Sequence, residues 1–187
     1  MPTYVLDASQ TTLAFAVAGL LRTNGTLARV AGTVTIGEHD SPKSLHVTVD
    51  ARSLQTGLLA RDLHLRTATF LHARRYPLIT YSSQRIEQAS PDHYVVRGLL
   101  RLKGREYPLT LDALLMPDAG ANGARQARVS GVLRRSALGI PRSRLLRRLM
   151  QPMIGDEIAL TADVRANLAS ASASDLSAVP STSRPLE

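Results

Sequence analysis

Apolar and polar residues alternate strictly in segment after segment of this chain, and a two-residue period is the side-chain spacing on one face of a β-strand. Leu13, Phe15 and Val17 alternate with Thr12, Ala14 and Ala16. Val30, Gly32, Val34 and Ile36 share one face, with Thr33 and Thr35 opposite. The pattern repeats at Leu45–Ala51, Ile79–Ser82, Val96–Leu102, Leu109–Ala113, Val129–Arg134 and Ile158–Val164. About eight strands result, most separated by short turns such as Gly37–Pro42 and Lys103–Glu106. Short turns between consecutive strands produce antiparallel hairpins. A single sheet of this kind exposes one apolar face and two unpaired edges. Closing it into a barrel removes the edges and turns the apolar face inward. The expected fold is therefore all-β, an eight-stranded antiparallel barrel.

Two segments break the alternation. Leu58, Asp62, Leu65 and Thr69 recur at helical spacing, which predicts a short helix over 57–71, after the third long strand. Residues 141–152 place Leu145, Leu146, Leu149 and Met150 on one side and arginines largely on the other, predicting a short helical connector before the last strand. From Ala169 the chain turns to Ser, Ala, Pro and Thr, too poor in large apolar residues to offset the entropy of ordering. The expected organisation is one barrel domain over 1–168 and a disordered tail over 169–187. No run of 18 apolar residues occurs. Met1-Pro2-Thr3 leads directly into Tyr4-Val5-Leu6-Asp7 without a secretory leader pattern. The chain as given is expected in the cytoplasm, or in the periplasm if a leader has been removed.

The side chains offer little chemistry. Cysteine is absent, which excludes disulfides, thiolate catalysis and cysteine-held metals. The five histidines show no metal-binding spacing, and neither a Gly-x-Ser-x-Gly elbow nor a phosphate loop occurs. Arg61, Asp62 and His64 form the densest polar cluster, expected at the barrel mouth in a structural role. The reading is of a protein that is not an enzyme, with no catalytic residues, no metal and no required cofactor. The net charge of +8 raises an alternative, a basic barrel binding nucleic acid or an anionic membrane surface through its arginines. Aromatic residues are only 4% of the chain, which disfavours base stacking and hence a nucleic-acid partner, while membrane-surface contact stays open.

An ordered series of motifs goes further. Ser53-Leu54-Gln55-Thr56-Gly57, Arg61-Asp62-Leu63-His64-Leu65, Phe70 and Tyr76-Pro77-Leu78-Ile79-Thr80-Tyr81-Ser82-Ser83 resemble the signature of the YceI-like family of bacterial polyisoprenoid-binding proteins. Tyr4-Val5-Leu6-Asp7, Leu13-Ala14-Phe15, Val30-Ala31-Gly32, Gly98-Leu99-Leu100 with Lys103-Gly104, Arg135 with Gly139, and Ile154-Gly155-Asp156-Glu157 follow in the family's order. The chain departs from the family pattern chiefly by losing aromatics, with Val34, Leu71 and Leu138 at positions where phenylalanine is usual. The resemblance implies a lipocalin-like barrel whose bore holds a polyisoprenoid or isoprenoid-quinone lipid, and it admits a homodimer. Combined with the alternation, it nominates Phe15, Val17, Val47, Val49, Ile79, Tyr81, Leu100, Leu109, Leu111, Leu133, Ile158 and Leu160 as ligand-binding residues of the bore.

Overall fold

The alternating segments become the walls of a closed tube. In the computed structural model, which describes residues 1–20, 22–117, 123–140, 145, 148–149 and 154–169, eleven strands form one antiparallel sheet. They are β1 (Thr3–Leu6), β2 (Thr12–Val17), β3 (Thr23–Leu27), β4 (Val30–Ile36), β5 (Pro42–Asp50), β6 (Leu54–Gln55), β7 (Leu78–Ser90), β8 (His93–Leu102), β9 (Arg105–Leu115), β10 (Arg125–Arg134) and β11 (Glu157–Leu168). The helix α1 (Leu59–Leu65) lies between β6 and β7.

Eleven strands fill only eight places around the barrel, because three places hold two short strands end to end. β11 pairs along one edge with β2 at Ile158–Asp163 and with β1 at Ala166–Leu168. On the next place, β3 pairs with β2 and β4 with β1. On the third, β6 pairs with β3 and β5 with β4. β5 then pairs with β7, and β7 through β11 follow as a meander. The β1–β11 ladder completes the circle.

A hub of charge holds two of these breaks together. Asp50 ends β5 and caps the 3-10 turn Ala51–Ser53 by accepting from the Arg52 amide at 2.9 Å. The same carboxylate accepts from Arg52 Nε at 3.0 Å and from Arg29, in the break between β3 and β4, at 3.2 Å. The Arg52 hydrogen bond is the main reason its carboxyl is held down at about 2.

The expected helix over 57–71 is shorter than the pattern suggested, ending at Leu65. Thr67 donates to the His64 carbonyl with both its amide (3.1 Å) and its hydroxyl (2.7 Å), and His72 adopts a left-handed φ of 52°. A β-branched residue that can bond the backbone locally favours a turn over another helical residue. The connector predicted over 141–152 lies outside the described residues except Leu145, Arg148 and Leu149, which are helical and exposed. The tail from 170 onward also lies outside them.

Small residues let the wall curve. A Cβ placed on Gly98 would sit 2.3 Å from the Ser82 carbonyl oxygen and 2.7 Å from the Tyr81 ring and hydroxyl. On Gly25 it would meet both the Phe15 ring and the Gln55 carbonyl at 2.6 Å. Each glycine leaves room for an aromatic ring to lie over the neighbouring strand. Gly98→Ala is therefore expected to cost about 1–3 kcal/mol in denaturant unfolding, and unchanged stability would contradict the close approach. The Asp50 contribution has a definite pH signature. A carboxyl held below its unfolded value stabilises above about pH 4, and that stabilisation is lost as pH falls towards about 2. The stability gap between the wild type and Asp50→Asn should accordingly shrink over that range; a gap independent of pH would rule this account out.

Candidate ligand-binding bore

Inside the barrel lies a cavity of about 530 Å³, running from Pro42, Leu45 and Leu115 at one end to His64, Leu138 and Ile140 at the other. Small-molecule sites commonly measure roughly 300–1,000 Å³. Its exposed surface is apolar almost throughout. The cause lies in the ladder: strand N–H and C=O groups point sideways to neighbouring strands, so only side chains reach the lumen. All twelve residues nominated for the bore lie on its wall.

The one tyrosine among the twelve hides its polar atom. Tyr81 is buried, and its hydroxyl lies 3.0 Å from the Val96 carbonyl and 3.3 Å from that of Leu109, donating into the wall. Burial pushes its pKa up to about 12, so the phenol stays neutral across any physiological range. Tyr81 therefore serves the cavity as an apolar ring.

One end of the tube is covered by α1 and the turns that follow it. Asp62 is buried and accepts from both the amide (2.9 Å) and the hydroxyl (2.5 Å) of Thr56. Arg61 donates to that same hydroxyl and to the Thr56 carbonyl, both at 2.7 Å. Thr56 thus stands between Arg61 and Asp62, which sequence reasoning had placed together at the mouth. Arg61 and His64 border the cavity, whereas Asp62 points away and anchors the helix to the strand before it. The His64 ring packs edge-on against Phe70 at 4.9 Å between centroids. Arg66 completes the attachment by donating to the Leu54 carbonyl at 2.6 Å.

The described parts of the β10–β11 connection border the same end from a clamped base. Arg135, although buried, donates to the carbonyls of Gly155 (3.2 Å), Ile154 (3.1 Å) and Ile140 (3.5 Å). Asp156 accepts from the Ser136 hydroxyl (2.7 Å) and amide (2.8 Å), and these bonds hold its carboxyl below the usual range, the hydroxyl chief among them. The Gly155 amide donates to Ala18, tying the connection to the β2–β3 turn. This base positions Leu138, Ile140 and Ile154 on the cavity. Sequence reasoning did not nominate these three for the bore, nor Leu65, Phe70 and Leu71 from the helix side, because the two-residue period marks strand faces and the cap lies outside the strands.

Comparison with known proteins agrees with this architecture. The family model of the YceI-like domain matches residues 4–166. Protein YceI of Salmonella arizonae is 36% identical over 93 residues, 49% of this chain and 48% of its own length. The match thus spans about half the length of such curated relatives. Among solved structures, Burkholderia cenocepacia BcnA superposes with a TM-score of 0.77 at 18% identity, covering 87% of this chain and 99% of BcnA. The Campylobacter jejuni YCEI protein gives 0.67 at 25% identity, covering 78% and 85%. A polyisoprenoid binding domain from Saccharophagus degradans gives 0.66 at 14% identity, covering 89% and 98%. With the closed eight-place barrel, its helix cap and a family match over nearly all of the described barrel, the chain belongs to the YceI-like family.

Proposed function

We propose that the protein binds a long-chain isoprenoid lipid, a polyprenyl chain or the tail of an isoprenoid quinone, in its bore, and carries or sequesters it without transforming it. The observation that carries this reading is the cavity wall, long and almost free of exposed polar atoms. Such a wall offers a polar ligand nothing to bond and would strip its water without return. A hydrocarbon chain loses nothing there and gains about 0.8 kcal/mol for each carbon buried. The headgroup of such a lipid would sit outside the apolar stretch. A structural neighbour described as a polyisoprenoid binding domain supports the ligand class.

The rival reading, a basic barrel that binds nucleic acid or an anionic membrane surface through its arginines, has charge in its favour, but two of its aromatic rings are not free to stack on bases. Phe15 and Tyr81 are both committed to the cavity wall.

Native mass spectrometry of the purified protein, followed by organic extraction, tests the proposal. A polyprenyl or quinone-tailed molecule near one per chain is expected. Ala162→Phe, which adds a ring to the wall, should lower that occupancy at least tenfold while the circular dichroism spectrum is kept. An apo mass with no uptake of added isoprenoids of several lengths would remove the proposed function.

A further inference from the structure

The barrel is polarised along its axis. One end carries the connections 18–22, 51–77, 103–104 and 135–156, as the strand directions require. In sequence these hold twelve lysines and arginines against only Asp62 and Asp156. The opposite end carries 37–41, 91–92 and 116–124, which hold four carboxylates and no lysine or arginine. Among the described residues alone, nine of those lysines and arginines stand against the two aspartates, so the positive charge is concentrated at one end, the end covered by α1.

The same end exposes leucines. Leu59 and Leu63, one helical turn apart on α1, are 73% and 56% exposed, and Leu58 beside them is exposed as well. Leu20, on the β2–β3 turn, is 81% exposed, and Leu145 and Leu149 of the β10–β11 connection are also open. Arg22, Arg74, Arg75 and Arg148 are exposed in the same connections. Apolar tips interspersed with arginines at one pole form an interfacial surface, whose leucines can enter the acyl boundary while the guanidinium groups meet phosphates.

We propose that this end of the barrel docks on an anionic lipid bilayer. Charge complementarity selects that partner, because an uncharged bilayer would leave the arginines without counter-charges. The docking does not depend on what fills the bore. If the bore holds lipid, the docked pole is the one where α1 borders the cavity.

Flotation with vesicles tests it. Full-length protein should float with phosphatidylglycerol-containing vesicles and not with pure phosphatidylcholine, and the binding should weaken as salt rises. Leu59→Ser/Leu63→Ser and Arg74→Glu/Arg75→Glu should each reduce binding at least tenfold. For the arginine pair this follows from roughly fivefold per basic residue at an anionic surface. Lys43→Glu, at the opposite end, should change it less than twofold, with thermal unfolding checked for all three. Failure to float at low salt would overturn the proposal, as would an equal loss from Lys43→Glu. Sedimentation without vesicles supplies a further arm: a dimer that Leu59→Ser/Leu63→Ser dissociates would assign the leucines to a second copy of this chain and overturn the membrane reading. A monomer in that arm supports it.

Discussion

Closure of the hydrogen-bonded ladder at β1 and β11 is what the rest of the structure depends on. Three register pairs, Tyr4↔Leu168, Val5↔Asn167 and Leu6↔Ala166, complete a circle that would otherwise end in two open edges. Once every strand but the two-residue β6, which pairs only with β3, has a neighbour on each side, the backbone spends its polar groups within the wall, and the lumen is left to side chains. The apolar cavity is a consequence of that closure as much as of the leucines and valines that line it. The split places extend the principle. β1 and β2, β3 and β4, and β5 and β6 lie end to end, so each pair shares one place in the barrel wall. Asp50, with Arg29 and Arg52, fastens two of those breaks at one point.

Much of this was legible in the sequence, and the reason is the rigidity of the two-residue period. Residues such as Val96 and Leu100, or Ile158 and Leu160, can share a face only by facing inward together, so the alternation identified wall residues without any contact information. What stayed hidden obeys other rules. β3 reads Thr-Asn-Gly-Thr-Leu, which has the composition of a turn; it is a strand because Gly25 must lack a side chain for the Phe15 ring to lie over it. β6 has two residues, too few for any period. The helix was foreseen but drawn too long, since helical spacing at Thr69 could not reveal that Thr67 would bond backward to His64. That Asp62 turns to Thr56 and away from the cavity, while Arg61 and His64 border it, is a matter of side-chain aim, which spacing does not encode.

The net charge of +8 also changes meaning once it is placed in space. As a composition it suggested any polyanion. On the barrel it becomes a gradient between two poles, acidic turns at one and arginine-rich caps at the other, with the apolar bore joining them. Charge and cavity then belong to one description, an apolar tube with a distinct basic cap. Arg135 sits where the two meet, buried, bordering the cavity, and donating to the carbonyls of the cap's base.

The central claim is that the bore binds hydrocarbon by length and dryness, with no polar recognition inside it. Its most direct measurement is the affinity of the purified protein for a ladder of isoprenoids that share one headgroup and differ by single isoprene units. The account predicts affinity that rises steeply with each unit, by up to about fourfold per buried carbon, until the cavity is full and then levels off, with little change when the headgroup is exchanged at fixed length. Affinity that follows the headgroup and ignores chain length would contradict it.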